Sequence, residues 1–255
     1  MRPCPDDAFE WIRNGQEEGL HRGAPNWKGN FVSRLIPKNF GAYAKILHRI
    51  EPNYRYIDNP LTERENVILK IPPCNKLRSF VESLRKEHKD QRIRWSTLAK
   101  LLNVPFAPEI CHGWFRTNME DPVCWSRCLS GPDEGNLCPD ELSEVLSVLM
   151  PFTGGQDCYF RFFQYSNLAL KGEPFLFCGA LEELSTFLTE GKHQFTPEYW
   201  WPADHSWCLC SDYDLKFTLV GGSRDMISAV LNNTTLEALE VTPQTRIDND
   251  APMPK

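Results

Sequence analysis

WCLCSDYDLKFTLVGGSRDMISAVL, residues 207–231, decides the fold. Two short runs rich in apolar and β-branched residues, Trp207 to Ser211 and Leu215 to Val220, flank Asp212-Tyr213-Asp214. That tripeptide suits a hairpin turn, because Asp side chains hydrogen-bond their own backbone two residues on. Gly221-Gly222 ends the second run, and Ser223 then caps a helix reaching Leu231. Leu236 to Val241 reads as a last strand. Upstream, Cys158 to Tyr165 and Pro174 to Phe177 read as two strands. A helix over Leu181 to Glu190 follows, with Leu181, Leu184 and Leu188 on one face. The order ββαββα, then β, predicts an α+β fold: a mixed or mainly antiparallel sheet with helices packed on one face.

Further toward the N-terminus, Pro139 starts a helix, with Leu142, Val145, Leu146 and Leu149 as its apolar stripe. Pro151 and Gly154-Gly155 close it. Trp95 to Leu102 is a short helix with Trp95, Leu98, Leu101 and Leu102 inward. Residues 38–49 read as a helix around Phe40, Tyr43, Ala44 and Leu47, and residues 6–14 as a short helix capped by Asp6 or Asp7. Lys76 to His88 is expected to be an exposed helix. Residues 103–138 are rich in Pro, Gly and Cys and read as irregular. Pro52, Pro60, Pro72 and Pro73 exclude a long helix there, so 51–92 is read as an inserted arm. The whole chain, 1–255, is read as a single α+β domain, with 243–255 a loose tail.

The apolar content is 41%, which excludes a wholly disordered chain. The net charge of −6 and the lack of a concentrated basic face argue against a nucleic-acid partner. The best basic stretch, Lys76 to Arg94, is broken by Glu82, Glu87 and Asp90 and reads as a solvated helix face. No run approaches the ~18 apolar residues of a membrane span. Asp6, Asp7 and Glu10 stand where a secretory signal would be basic and then apolar. The expectation is a soluble, cytoplasmic protein without a membrane partner. Its ten cysteines are then reduced thiols used as small hydrophobes.

Tyr199-Trp200-Trp201-Pro202-Ala203-Asp204-His205-Ser206-Trp207-Cys208 is an unusual block. It continues through Asp214-Leu215, Thr218, Val220-Gly221-Gly222-Ser223 and Leu236-Glu237-Ala238-Leu239. Together these resemble a family of uncharacterised bacterial proteins common in actinomycetes. Ile36-Pro37, Phe40, Ala42-Tyr43-Ala44, Arg94-Trp95 and Pro132 with Glu134-Gly135 fit the same family. The resemblance covers most of the chain outside 51–92. It implies a bacterial origin and supplies no catalytic residues.

Trp200, Trp201 and Trp207 either wall a ligand pocket, with Asp204 and His205 as its polar groups, or plug the end of the sheet core. Asp214 lies in a segment that suits a turn as well as a cation or acid–base site. Arg224 follows a strand-to-helix turn whose free N–H groups suit an anion, although Gly and Ser serve that turn's geometry anyway. Cys124 and Cys128, with Cys111, His112 and Cys138 nearby, lack the second close pair of a structural zinc site, so no metal is expected. No cofactor loop is present and no cofactor is expected. The leading reading is a binding or protein-interaction module without catalysis, with an immunity-like role as one form of it. The alternative is a small-molecule binder or hydrolase-type enzyme using the block from Trp200 to Asp214.

Overall fold

The computed structural model describes residues 1–19, 26–59, 75–86, 92–118, 127–163, 175–190 and 195–254. The chain divides into two compact units. One comprises Met1–His48 and Asp133–Asp248, the other Arg49–Pro132 and Asn249–Lys255. The segment read as an inserted arm, 51–92, falls wholly in the second unit, which runs well past it.

The strands in chain order are β1 (Arg2–Pro3), β2 (Ala42–Leu47), β3 (Glu51–Pro52), β4 (Leu129–Ser130), β5 (Cys158–Arg161), β6 (Leu176–Gly179), β7 (Tyr199–Pro202), β8 (Cys208–Cys210), β9 (Phe217–Gly222) and β10 (Ala238–Val241). The helices are α1 (Glu10–Gly15), α2 (Tyr54–Asp58), α3 (Asn75–Lys86), α4 (Trp95–Leu102), α5 (His112–Asn118), α6 (Pro139–Thr153), α7 (Glu183–Thr189) and α8 (Arg224–Asn232). The fold is α+β. The first unit holds one antiparallel eight-stranded sheet, ordered β1-β6-β5-β7-β8-β9-β2-β10. The second unit holds α2 to α5 and the short β3–β4 pair.

Period-2 alternation assigns each sheet residue to a face. Ala44, Val220, Leu209, Trp200, Phe160 and Phe177 are successive cross-strand neighbours on one face. The first five join one buried cluster with Leu142, Val145 and Leu149 of α6, Leu184 of α7, and Met226, Ile227 and Val230 of α8, and half-buried Phe177 packs against it. These three helices therefore share a face, as the element order predicts. The opposite face carries Tyr43, Cys208, Tyr199 and Trp201. The N-terminal segment meets it there: the Phe9 ring packs edge-on to Tyr199 at 4.9 Å.

The hairpin of residues 207–231 forms as expected. Asp212 Oδ1 accepts from the Asp214 N–H at 2.9 Å, and Ser223 Oγ accepts from the Met226 N–H at 3.2 Å as the cap of α8. Pro151 lies inside the last turn of α6, and Gly154, at φ +66°, ends that helix. The strand and helix expectations at 164–165, 174 and 87–88 lie outside the described residues.

Four expectations need correction. Residues 42–47 form a strand, not a helix, and every residue of it is buried. A strand covered on both faces loses the apolar–polar alternation that would mark it. Lys45 is fully buried too, its Nζ 5.0 Å from the Phe217 ring centre. Within 103–138, read as irregular, α5 and β4 form. The tail from 243 is held rather than loose. Ser33 N–H donates to the Pro243 carbonyl, Val32 N–H to Thr245 and Ile247 N–H to Asn30, and Ile247 and Ala251 are buried. Finally, Cys4 and Cys178 form a disulfide, with Cα atoms 6.1 Å apart. β1 pairs antiparallel with β6 and brings these two diagonal positions within reach.

A chain of buried polar groups links β2, β8 and β9. His48 Nε2 lies 2.9 Å from Thr218 Oγ1, which lies 2.7 Å from Ser211 Oγ. His48 Nδ1 is 2.7 Å from the Asp133 carbonyl, which makes it the donor and leaves Nε2 to accept from Thr218. Burial lowers the His48 pKa to about 4; the Asp133 carbonyl opposes this and Lys216 adds to it.

Gly135 packs beneath the hairpin turn at φ +61°, and a Cβ there would sit 2.6 Å from Tyr213 Cα. Gly135→Ala adds a steric clash with backbone to an unfavourable dihedral. It is expected to cost about 1–3 kcal/mol in urea denaturation. A variant as stable as the parent would show that the turn yields freely.

Candidate functional site

The tryptophan block divides across the sheet. In β7, Trp200 faces the helices while Trp201 faces the other side, where it stacks on its cross-strand neighbour Tyr159 at 5.4 Å and 7°. Trp207 joins the helix-facing cluster. All three are fully buried. Among the described residues, their indole N–H groups have no hydrogen-bond acceptor. The three rings therefore fill core on two opposite faces and do not share a pocket.

The polar candidates also separate. Asp204 and His205 lie in the β7–β8 turn and Asp214 in the β8–β9 turn, so the two turns stand at opposite ends of β8. Asp204 and Asp214 therefore do not converge on one cation or substrate. Cys208 and Cys210 are buried thiols in β8, and burial pushes both well above the ordinary thiol range. Cys124 lies outside the described residues. Among the described residues, no group of three His, Cys, Asp or Glu side chains is placed to hold a metal.

What remains is a surface at the β7–β8 turn end of the sheet. Residues 203–206 are exposed between buried Pro202 and buried Trp207. The turn closes through the His205 N–H to the Pro202 carbonyl at 2.9 Å, and the Asp204 N–H donates to Gln156 Oε1 at 2.8 Å. Asp204 Oδ1 accepts from the Ser206 N–H at 2.9 Å. His205 sits at φ +58°, where glycine would be less strained. Its ring stacks flat on Trp11, centroids 4.1 Å apart and 5° from parallel. Trp11 in turn meets Trp201 at 6.2 Å and Phe40 at 6.4 Å, both edge-on.

Phe40 covers Gly221 so closely that a Cβ there would lie 2.4 Å from its ring. Gly222 is crowded in the same way by the Met226 side chain. The glycine pair thus serves close packing, and Ser223 fills the cap position of α8. Gly41 approaches Arg224 N, its Cβ position 3.7 Å away. The exposed Arg224 guanidinium lies 3.7 Å from Glu240. Trp11 and Phe40 therefore form an aromatic floor under His205, with Asp204 beside it, while Arg224 faces Glu240 of β10.

Desolvation raises the Asp204 carboxyl, but hydrogen bonds from Gln156 and Ser206 outweigh it and hold the group below its ordinary value. Desolvation lowers the His205 imidazole, with Asp204 opposing. At neutral pH the turn thus presents a carboxylate and a largely neutral imidazole. Trp11 and Phe40 escaped the sequence reading. The expected helix at 6–14 contains Trp11 without marking it, and Phe40 falls within the helix expected over 38–49.

A second polar group lies on the same face as Tyr199. Arg161 pairs with Glu198 and packs over Phe9 at 4.5 Å and Phe175 at 5.6 Å. Burial raises the Glu198 carboxyl, with Arg161 opposing. The pair matches its own charges and reads as a clamp between strands.

Among the described residues, no helix is long and apolar enough to cross a membrane. No family model, no curated protein and no solved structure matches the chain.

Proposed function

We propose that this chain is a binding protein that recognises a protein partner through the β7–β8 turn end of its sheet. The observation that carries the reading is His205, kept in a left-handed conformation at an exposed turn and laid flat on Trp11. A turn selected only for stability would place Gly or Asn there. An aromatic anchor with a polar rim is the composition of a protein-recognition surface, where Trp and Arg carry much of the binding energy. Asp204 supplies a rim charge beside the ring. An immunity-like role, in which the partner is neutralised by being covered, is one form this binding takes.

The test is affinity capture from the native host with wild type, Trp11→Ala and His205→Gly as baits. His205→Gly removes the ring and relieves the left-handed strain. It is expected to leave stability unchanged or raise it by up to about 1 kcal/mol. A stoichiometric partner held by wild type and lost from both variants supports the reading. A partner retained by both variants, or a thermal shift with a small metabolite that both variants abolish, would overturn it in favour of another surface or a small-molecule site.

A further inference from the structure

We infer that the Cys4–Cys178 disulfide is a redox-operated clamp that holds the edge strand β1 on the sheet. β1 is only two residues long, Arg2 and Pro3, and both are exposed. Its ladder contacts are the pairs Arg2–Cys178 and Pro3–Phe177, extended by the Cys4 N–H to the Leu176 carbonyl at 2.9 Å. The Arg2–Asp157 ion pair, 2.8 Å and solvent-exposed on both sides, adds little. Met1 is anchored separately, its amino group 3.0 Å from Glu183 and its side chain packed against the core, so the covalent bond secures the short ladder from Arg2 to Cys4.

The clamp is placed for exchange. Cys4 is partly exposed, whereas Cys178 is buried. A thiolate can therefore reach Cys4 Sγ. A dithiol reductant breaks the S–S bond there, forms a mixed disulfide with Cys4 and expels Cys178 as a thiolate that takes up a proton. The second thiol of the reductant then closes its own disulfide and releases the Cys4 thiol. Two electrons and two protons pass from the dithiol to the protein. The buried thiols of Cys158, Cys208 and Cys210 take no part, since no reagent reaches them.

The consequence follows from the antiparallel ladder. Phe162 N–H donates to the Phe175 carbonyl at 2.7 Å, so the odd residues of β6 turn toward β5 and the even ones, Leu176 and Cys178, turn toward β1. Releasing β1 exposes the backbone groups of Leu176 and Cys178 along an apolar strand edge and leaves Phe177 paired.

Hydrogen–deuterium exchange on the intact chain, with and without dithiothreitol, tests this, after non-reducing peptide mapping for the Cys4–Cys178 bond. Reduction is expected to speed exchange at the amides of Cys4 and Cys178 by about tenfold or more while Phe177 and β7 to β9 stay protected. Cys4→Ser is expected to show the reduced pattern without reductant. The absence of the disulfide from the mapped protein would overturn the inference. So would unchanged protection after reduction, or loss of protection throughout the sheet in the reduced protein or the variant.

Discussion

Replacing Trp200 with alanine is expected to lower the free energy of unfolding by about 3–5 kcal/mol. The side chain is fully buried on the helix-facing side of β7, within the cluster that includes Phe160, Leu209 and Val220. Its cross-strand neighbours are Phe160 on β5 and Leu209 on β8, so the hole opens at mid-sheet, where neither strand can move in to fill it. Trp200→Phe should cost clearly less, because it keeps most of the apolar volume and the lost N–H has no acceptor among the described residues. Denaturation followed by far-ultraviolet circular dichroism gives both values. Two variants of nearly wild-type stability would mean that the ring lies in an open, solvated pocket.

The second large effect is a loss of stability in mild acid. His48 has its pKa lowered to about 4 in the folded chain, against 6.5 for the ordinary side chain. Between these values the unfolded chain binds a proton that the folded chain does not. Stability contributed by the neutral imidazole is complete above about pH 6.5, declines as pH falls toward 4, and is constant below that. At 1.36 kcal/mol per unit, the loss totals about 3 kcal/mol. Raised carboxyl groups such as Asp212 and Glu198 act in the opposite direction, so the comparison needs a variant. His48→Gln keeps a hydrogen-bonding side chain without a titrating group. The difference in unfolding free energy between wild type and variant is expected to change across this window. A parallel pair of profiles would show that His48 titrates as if exposed.

The sheet's C-terminal half was legible because its turns and caps carry local chemistry. Asp212 to Asp214 and Ser223 need only their own neighbours to act, and α4 formed over the residues its stripe marks. β2 was not legible, because burial on both faces removes alternation and leaves Tyr43, Ala44 and Leu47 at a spacing that also fits a helix. β7 was hidden for the same reason, as Trp200 and Trp201 are buried on opposite faces. Among the candidates named from the sequence, Asp204, His205 and Arg224 follow strands that end on one side of the sheet, whereas Asp214 lies at the other end. Trp11 and Phe40 meet His205 and Gly221 only through tertiary packing, for which the sequence carries no local mark. The Cys4–Cys178 bond joins positions 174 residues apart, and nothing in their spacing announces it.

Hydroxyl-radical footprinting of the native protein, read by peptide mass spectrometry, tests most directly whether the tryptophan block is core and the surface lies at the turn. The expected result is ready oxidation of His205, with Trp200, Trp201 and Trp207 unmodified until the chain is unfolded. Oxidation of those three tryptophans in the native protein at the rate of His205 would contradict the account and return the block to a solvent-filled ligand pocket.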